Sequence, residues 1–380
     1  MVKVVVTGIS LISCLGDKNA TWRGIIEGIS GIKFSQPFDF FPPLPLGLIN
    51  SLPSSVSNLT TQLIEEVCLD GNIFPPLNDT AVVIGSSRGC QSQWEVFLSL
   101  LSSQKIETIS LFSPDWLQTL PHQPAIITAN YLQTSASVFS PANACATGLV
   151  AIAKGYELIK QQKCERVIVG AVETPITPLT IAGFTQMKAL SYQGCYPFAT
   201  IRDGFVLGEG GAMLILETEE LARSRDAKIY GEILSWGMSC DADTMTSPEM
   251  GGKTAMKTIR KCLYRGGLQP KEIDYIHAHG TGTILNDQRE AKIINELFCH
   301  APKISSTKGA TGHTLGASGA MATALSLMSL KKQILLPNIS SSPLNFDLNF
   351  CQKSSNYSLN KMLCFSFGFG GQNIILAMGK

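Results

Sequence analysis

The chain has 380 residues and a formal net charge of +1, and 44% of its residues are hydrophobic. This length fits one large α/β unit or two fused halves. Charged residues make up only 16%, and a near-neutral chain without a clustered basic surface argues against a nucleic-acid-binding protein. There is no secretion signal and no apolar stretch of membrane-spanning length, so the sequence predicts a soluble, cytoplasmic protein with no membrane partner.

The first half of the chain has the pattern of strands alternating with helices. Short apolar runs that suit strands buried on both faces occur at residues 4–6, 81–85, 167–170 and 213–216. Apolar residues from Leu149 to Ile159 follow helical spacing directly before the run at 167–170. A helix that leads into a parallel strand is typical of an α/β sheet.

A second series of elements begins near residue 228. Strands are predicted at residues 229–236, 274–278 and, as a pair, within 363–378, and helices at 254–263, 288–298 and 315–330. A polar break at residues 223–226 precedes this series. The sequence therefore predicts two α/β halves, residues 1–227 and 228–380, although no internal repeat is strong enough to demonstrate a duplication.

Eleven cysteines are scattered along the chain without any C-x-x-C pair, so a zinc site or a redox dithiol has no support. Cys145 differs from the others because it lies among small residues, in PANACATG (141–148), directly before a predicted helix. A helix N-terminus stabilises a thiolate and can bind a developing oxyanion. For an isolated cysteine in this position, however, a buried structural role is the better interpretation.

Two histidines follow a predicted strand, in HAHGTGT (277–283). A histidine at a strand end projects toward the edge where open α/β sheets build their sites. The alternation of side chains gives His277 and His279 the same orientation, so the pattern does not choose between them. No third ligand is close in sequence, which argues against a metal site.

Two glycine-rich segments complete the set of unusual motifs. SSTKGATGHTLGASG (305–319) places Lys308 and His313 five residues apart at the start of a small-residue helix, and GFGGQN (368–373) lies between two strands. The first does not match the phosphate-loop pattern GxxxxGK(S/T), and the second lacks the GxGxxG spacing. Nucleotide binding is therefore disfavoured.

These motifs are far more specific together than alone. Together they resemble the β-ketoacyl synthase family, and its elongating type II members in particular. The residues that carry this resemblance are Cys145, His279, Lys308, His313 and the turn at 367–373. The resemblance runs almost end to end and includes RDGFVLGEG (202–210) and MTSP (245–248). Thiolases carry a second catalytic cysteine, and initiating synthases replace the second histidine with asparagine, so the Cys–His–His set separates this class within the fold.

The resemblance implies an α/β thiolase fold in which two similar halves pack as a five-layer αβαβα sandwich. The first half would carry the nucleophilic cysteine and the second half the two histidines. It implies a homodimer, with a heterodimer as the alternative, and substrates carried on the phosphopantetheine of an acyl carrier protein. It implies no cofactor and no metal.

The implied reaction is the decarboxylative condensation of malonyl-carrier protein with an acyl group held on Cys145, which requires a nucleophile with a lowered pKa. His279 and His313 would stabilise the enolate oxygen, and Lys308 would balance charge and orient the histidines. Phe369 would be a gating aromatic whose N–H, with that of Cys145, holds the oxyanion. The further gating or supporting residues that the resemblance implies are Phe367, Gly368, Glu290, Thr281, Thr283, Asp241, Thr246 and Asn373.

One departure from the family pattern concerns the carrier protein. The early helix that in the family bears Arg and Lys for docking the acidic carrier has no basic residue over 54–60, so docking is expected through cations elsewhere or through a partner subunit. The alternatives are a synthase for secondary lipids or polyketides, a non-catalytic chain-length subunit of a heterodimer, and a coenzyme A-dependent thiolase. Cys145 argues against the second of these, and His313 argues against the third.

Overall fold

The computed structural model describes residues 2–102, 114–340 and 342–380. Its strands are β1 (Val4–Ser13), β2 (Lys33–Ser35), β3 (Leu44–Leu46), β4 (Ala81–Gly85), β5 (Val138–Phe139), β6 (Arg166–Glu173), β7 (Gly210–Thr218), β8 (Gly231–Cys240), β9 (Tyr275–His277), β10 (Lys303–Ser305), β11 (Ile334–Leu335), β12 (Ser355–Asn356), β13 (Lys361–Gly368) and β14 (Gln372–Gly379). Its helices are α1 (Lys18–Ile26), α2 (Val56–Asp70), α3 (Gln91–Ser102), α4 (Gln123–Leu132), α5 (Thr147–Lys160), α6 (Pro178–Gln186), α7 (Glu219–Ser224), α8 (Lys253–Arg265), α9 (Ile284–Leu297), α10 (Lys308–Thr311) and α11 (Ser318–Lys332).

Ten of the described strands form one hydrogen-bonded sheet in the order β10-β9-β13-β14-β8-β1-β7-β6-β4-β5. The same arrangement occurs twice in it: β5, β4 and β6 are parallel and β7 and β1 follow antiparallel, while β10, β9 and β13 are parallel and β14 and β8 follow antiparallel. The two sets of five strands join where residues 4–6 of β1 pair with residues 231–233 of β8. The topology thus repeats where the residues themselves show no repeat, and the boundary at residue 227 stays a prediction.

Two central helices lie between these sets of strands. Helix α5 contacts β4 and β6 on one side and β14 on the other, and α11 contacts β7 on one side and β13 on the other. Helices α2 and α4 pack outside the first set, and α8 and α9 cover the second set. The layers across the molecule are therefore outer helices, the first set of five strands, the two central helices, the second set of five strands and outer helices. This is the five-layer αβαβα order that the sequence resemblance implied.

Strand alternation divides the apolar core between these layers. In β4, Val83 packs into the central core with Ile152 of α5, whereas Val82 and Ile84 pack into the outer core with Leu63 of α2. Helix α11 is buried on all sides from Ser318 to Leu330, which explains its small and apolar composition. No helix among residues 2–102, 114–340 and 342–380 is long and apolar enough to cross a bilayer.

The two central helices begin at the same place. Cys145 lies two residues before α5, and His313 lies five residues before α11. Both residues line one cavity. The central layer therefore brings together two motifs that are far apart in the sequence.

Candidate active site

A cavity of about 320 Å³ contains most of the residues that the sequence analysis selected. The selected residues that line it are Cys145, His279, His313, Phe367, Gly368, Phe369, Thr281, Thr283, Asp241 and Thr246. Lys308, Glu290 and Asn373 do not line the cavity. They are buried behind it and contact residues that do.

Cys145 is presented by a tight and well-supported turn. Ala144, directly before it, has a φ of +48°, a conformation that costs a non-glycine residue on the order of 1 kcal/mol. The Thr147 hydroxyl donates to the Ala144 carbonyl at 2.7 Å and accepts from the Asn143 N–H at 2.8 Å. From β13, the Ser366 hydroxyl donates to the Cys145 carbonyl at 2.9 Å. These contacts fix a cysteine that is only 3% exposed.

The β13–β14 turn lies against this cysteine. A Cβ added to Gly368 would lie 3.2 Å from the Ala146 nitrogen and 3.3 Å from the Cys145 nitrogen, so a larger residue would push the two turns apart. The backbone N–H of the next residue, Phe369, lies close enough to the Cys145 sulfur to lower the pKa of the thiol. Its ring stacks near Phe184, with 5.7 Å between centroids. The turn thus brings an N–H donor and an aromatic ring next to the sulfur.

The environment of the Cys145 thiol differs from the sequence expectation of a lowered pKa. Burial raises the pKa of this thiol to about 11, although the charge of Lys308 and the N–H of Phe369 act in the opposite direction. Desolvation outweighs these stabilising groups because the thiolate has lost its contact with water. The thiol is therefore protonated at neutral pH.

His279 and His313 line the cavity together with Cys145, and their rings meet edge to face, with centroids 5.3 Å apart and planes at 81°. His313 packs against Phe205, and His279 packs against Phe367. Burial and the nearby Lys308 charge hold the pKa of both imidazoles well below the usual range. Both rings are therefore neutral at neutral pH, and each offers one N–H donor.

The structure distinguishes the two histidines that the sequence pattern left equivalent. Strand β9 ends at His277, so the strand alternation does not continue to His279. The His277 ring is buried and lies 3.2 Å from the Thr307 hydroxyl, away from the cavity lining. Of His277 and His279, only His279 borders the cavity.

Lys308 and Glu290 fix the backbone around His279. The Lys308 ammonium donates to the His279 carbonyl. The Glu290 carboxylate accepts the N–H of His279 at 2.6 Å and that of Gly280 at 2.7 Å. Burial lowers the pKa of Lys308 and raises that of Glu290 to about 7. The backbone of His279 is thus held at its N–H by Glu290 and at its carbonyl by Lys308, and both of these side chains are buried.

Comparisons with known proteins identify the class of this site. The family model described as the N-terminal domain of beta-ketoacyl synthase matches residues 57–222, and that of the C-terminal domain matches residues 230–342. A Mycobacterium leprae protein named 3-oxoacyl-acyl-carrier-protein synthase 2 is 30% identical over 99% of this chain and 96% of its own length. A Staphylococcus aureus protein of the same name is 30% identical over 100% of this chain and 98% of its own.

The chain belongs to the β-ketoacyl synthase family. Solved structures of this family have the same thiolase fold. One chain, from a type II PKS acyl-carrier protein in complex with its ketosynthase, superposes with a TM-score of 0.93 at 27% identity over 99% of both chains. A beta-ketoacyl synthase from Burkholderia phymatum superposes with a TM-score of 0.90 at 25% identity over the full length of both chains. These relatives are acyltransferase-type condensing enzymes, and the non-catalytic chain-length subunit is not favoured.

Arg289, whose buried side chain lines the cavity of this synthase, was not among the site residues predicted from the sequence. Its guanidinium donates to both carboxylate oxygens of Asp241 at 3.0 Å and to the Asn373 Oδ1 at 3.1 Å, and it lies 5.1 Å from the centre of the Phe367 ring. Asn373 in turn donates to Asp241 at 2.7 Å. Arg289 lies four residues before the buried Ile293 of α9. A charged residue on the apolar face of a predicted helix was the available signal.

The loop after β8 is hydrogen bonded to the β13–β14 turn. The Asp241 N–H donates to the Gly371 carbonyl at 2.8 Å, and the Gly370 N–H donates to the Met245 carbonyl at 2.9 Å. Thr246, next along this loop, lines the cavity. The sequence resemblance implied a gating role for Phe369 and gating or supporting roles for Asp241 and Thr246, and these roles stay predictions.

Glu173, at the end of β6, is a second buried charged residue that the sequence analysis missed. One carboxylate oxygen accepts the Ser87 N–H, and the other has no hydrogen-bond partner among the described residues. Burial raises the pKa of Glu173 to about 7, and its charge raises the pKa of the Cys145 thiol. Its position at the carboxyl end of a predicted parallel strand was the signal that could have revealed it.

Glu173 should make the synthase lose stability as the pH rises from about 4.5 to about 7. The pKa of Glu173 is raised in the folded state, which therefore binds the proton more tightly than the unfolded state does. The resulting contribution to the free energy of unfolding is fully present below the unfolded-state pKa and is lost as the pH rises through the folded-state pKa. Urea denaturation of wild type and Glu173→Gln at about pH 5 and about pH 7.5 measures the effect. The variant should show the smaller decrease, and Glu27→Gln, at an exposed position after α1, should behave like wild type. Equal decreases in all three proteins would contradict the assignment.

Proposed function

We propose that this synthase accepts an acyl group from an acyl carrier protein onto Cys145 and condenses it with malonyl-carrier protein. The observation that carries the proposal is the presence of a buried thiol, two neutral imidazoles and the Phe369 N–H donor at one cavity. The names of the full-length relatives supply the substrate class. No cofactor or metal is required by this chemistry, and the absence of both stays a prediction.

The first half-reaction transfers the acyl group. The Cys145 sulfur attacks the thioester carbonyl of the acyl-carrier protein, and the bond to the phosphopantetheine sulfur breaks. The proton of the thiol leaves with the departing carrier thiol. In this proposal the backbone N–H groups of Cys145 and Phe369 stabilise the oxyanion of this step, which offsets the unfavourable burial of the nucleophile.

The second half-reaction forms the carbon–carbon bond. The malonyl thioester releases CO₂, and its remaining electron pair forms an enolate. The N–H groups of His279 and His313 donate to the enolate oxygen, because neutral imidazoles are donors without a competing charge of their own. The enolate carbon then attacks the acyl-Cys145 thioester. The carbon–sulfur bond breaks, and the cysteine regains a proton from solvent.

Lys308 and Glu290 are assigned positioning roles in this proposal. Both bond to the backbone of His279 and neither lines the cavity. Lys308 also helps to keep both imidazoles neutral through its charge. Thr281 and Thr283, whose hydroxyls are 2.9 Å apart at the cavity wall, are assigned a supporting role, in which they contact the phosphopantetheine arm.

We further propose that the synthase acts as a homodimer. Strand β5 forms an edge of the ten-stranded sheet, and its Val138 and Phe139 are 36% and 37% exposed. An edge strand with exposed apolar side chains is suited to pairing with a second copy. Sedimentation analysis of the purified chain should give a dimer mass. A monomer would contradict the homodimer and favour a heterodimeric partner.

Mass spectrometry tests the proposed reaction directly. Incubation with acyl-carrier proteins of several chain lengths should add one acyl mass to wild type and none to Cys145→Ala. Subsequent addition of malonyl-carrier protein should remove that mass and release a β-ketoacyl product two carbons longer. A folded wild-type sample that gains no acyl mass from any carrier protein would overturn the proposal as a stand-alone synthase.

A further inference from the structure

Four of the apolar residues that line the active-site cavity also have exposed side chains, which places them at its opening. We call this set, made of Met187, Met245, Ile284 and Leu285, the rim. Their exposed fractions are 40%, 82%, 55% and 43%, respectively. Large apolar residues exposed together around a functional opening are typical of an interaction surface.

Three separate segments supply the rim. Met187 caps the C-terminal end of α6, Met245 belongs to the loop after β8, and Ile284 and Leu285 form the first turn of α9. All three segments also line the cavity that contains Cys145. Whatever covers the rim therefore lies directly over the route to the nucleophile.

Charge is almost balanced at this opening. The charged residues among the described cavity lining are Lys188, Asp203, Asp241 and Arg289. Asp241 and Arg289 are buried and paired with each other, which leaves one cation and one anion, Lys188 and Asp203. Helix α2, where the sequence resemblance implied docking cations, contains no Lys or Arg at all. The positive surface that would attract an acidic carrier protein is absent from both described places.

We propose that the rim is the docking surface for the acyl carrier protein and that it binds the carrier by apolar contact rather than by charge. This inference rests on the proposed function, because a thioester can reach the buried Cys145 only if its carrier lies over the cavity opening. A similar ketosynthase has been solved in complex with its acyl-carrier protein. The two methionines suit such a surface, because their flexible thioether side chains adapt to a partner.

The test is the dissociation constant of fluorescently labelled acyl carrier protein, measured by anisotropy. For wild type, raising the salt from about 0.05 M to about 0.5 M should change it less than about twofold, since apolar contact is not screened. The double substitution Met245→Gln and Ile284→Gln should weaken binding about tenfold, the scale expected for losing central apolar contacts. Lys188→Ala should have a much smaller effect.

Matched controls place the effect at the rim. Tyr264→Gln, at a position that is 87% exposed on α8, and Leu69→Gln, at one that is 68% exposed on α2, should bind like wild type. A strong salt dependence together with a large loss in Lys188→Ala would overturn the proposal in favour of charge-driven docking. A loss in Leu69→Gln with an unaffected rim variant would overturn it in favour of α2.

The binding assay needs no chemistry, which separates the two proposals. Rim-dependent binding without condensation would leave the docking surface standing and overturn the proposed reaction. Condensation together with carrier binding that the rim substitutions leave unchanged would overturn the docking surface and leave the proposed reaction standing.

Discussion

Replacing His313 with alanine should lower the rate of condensation by about 10³-fold and lower the acylation of Cys145 far less. The two imidazoles line the same cavity as the thiol and are neutral at neutral pH. In the proposed mechanism they act on the enolate oxygen, which forms only after the acyl group has already been transferred. Single-turnover mass spectrometry with pre-acylated enzyme measures the two half-reactions separately.

The variant His313→Asn separates chemistry from packing in this prediction. Its amide still offers an N–H donor, so it should recover part of the condensation that the alanine variant loses. The wild-type rate should also show no step from histidine protonation between about pH 6 and about pH 8, because the pKa of both rings lies well below the usual value of 6.5. Equal losses of acylation and condensation in both variants would contradict the assigned role.

Replacing Arg289 with methionine should reduce the free energy of unfolding by about 3–5 kcal/mol. The substitution leaves the buried Asp241 carboxylate without its cation, and the desolvated charge is then uncompensated. It also removes the donor to Asn373, so the hydrogen bond between α9 and β14 is lost. Equilibrium denaturation with urea provides the measurement.

Two further variants make this second prediction specific. Asp241→Leu combined with Arg289→Met removes both charges and should recover part of the loss, since no buried ion is left unpaired. Lys292→Met changes a cation in the same helix whose side chain is 49% exposed, and it should alter stability by less than about 0.5 kcal/mol. If Arg289→Met were no more destabilising than Lys292→Met, the buried pair would not have the importance assigned to it.

Local sequence patterns predicted those parts of the synthase that depend on local physics. The strands at 81–85 and 167–170 were recognisable because strands buried on both faces need continuous apolar runs. The helices at 254–263 and 315–330 followed from periodicity, although the second begins at Ser318 after a short 3-10 turn. Residue-by-residue reasoning left Cys145 open to a structural interpretation and did not choose between His277 and His279. The family resemblance made that choice, and the cavity lining agrees with it.

What only the tertiary structure decided depends on segments that meet from far apart in the chain. The sequence predicted a lowered thiol pKa at Cys145 from its helix, whereas burial by the surrounding layers raises it. Glu173 meets Ser87, and Arg289 meets Asp241 and Asn373, across separations that no local pattern encodes. The rim likewise combines the ends of α6, β8 and α9. By itself, the sequence determined several of the strands and helices and the chemical groups. Packing determined their protonation, their partners and their exposure, because desolvation and contact depend on what lies nearby in space.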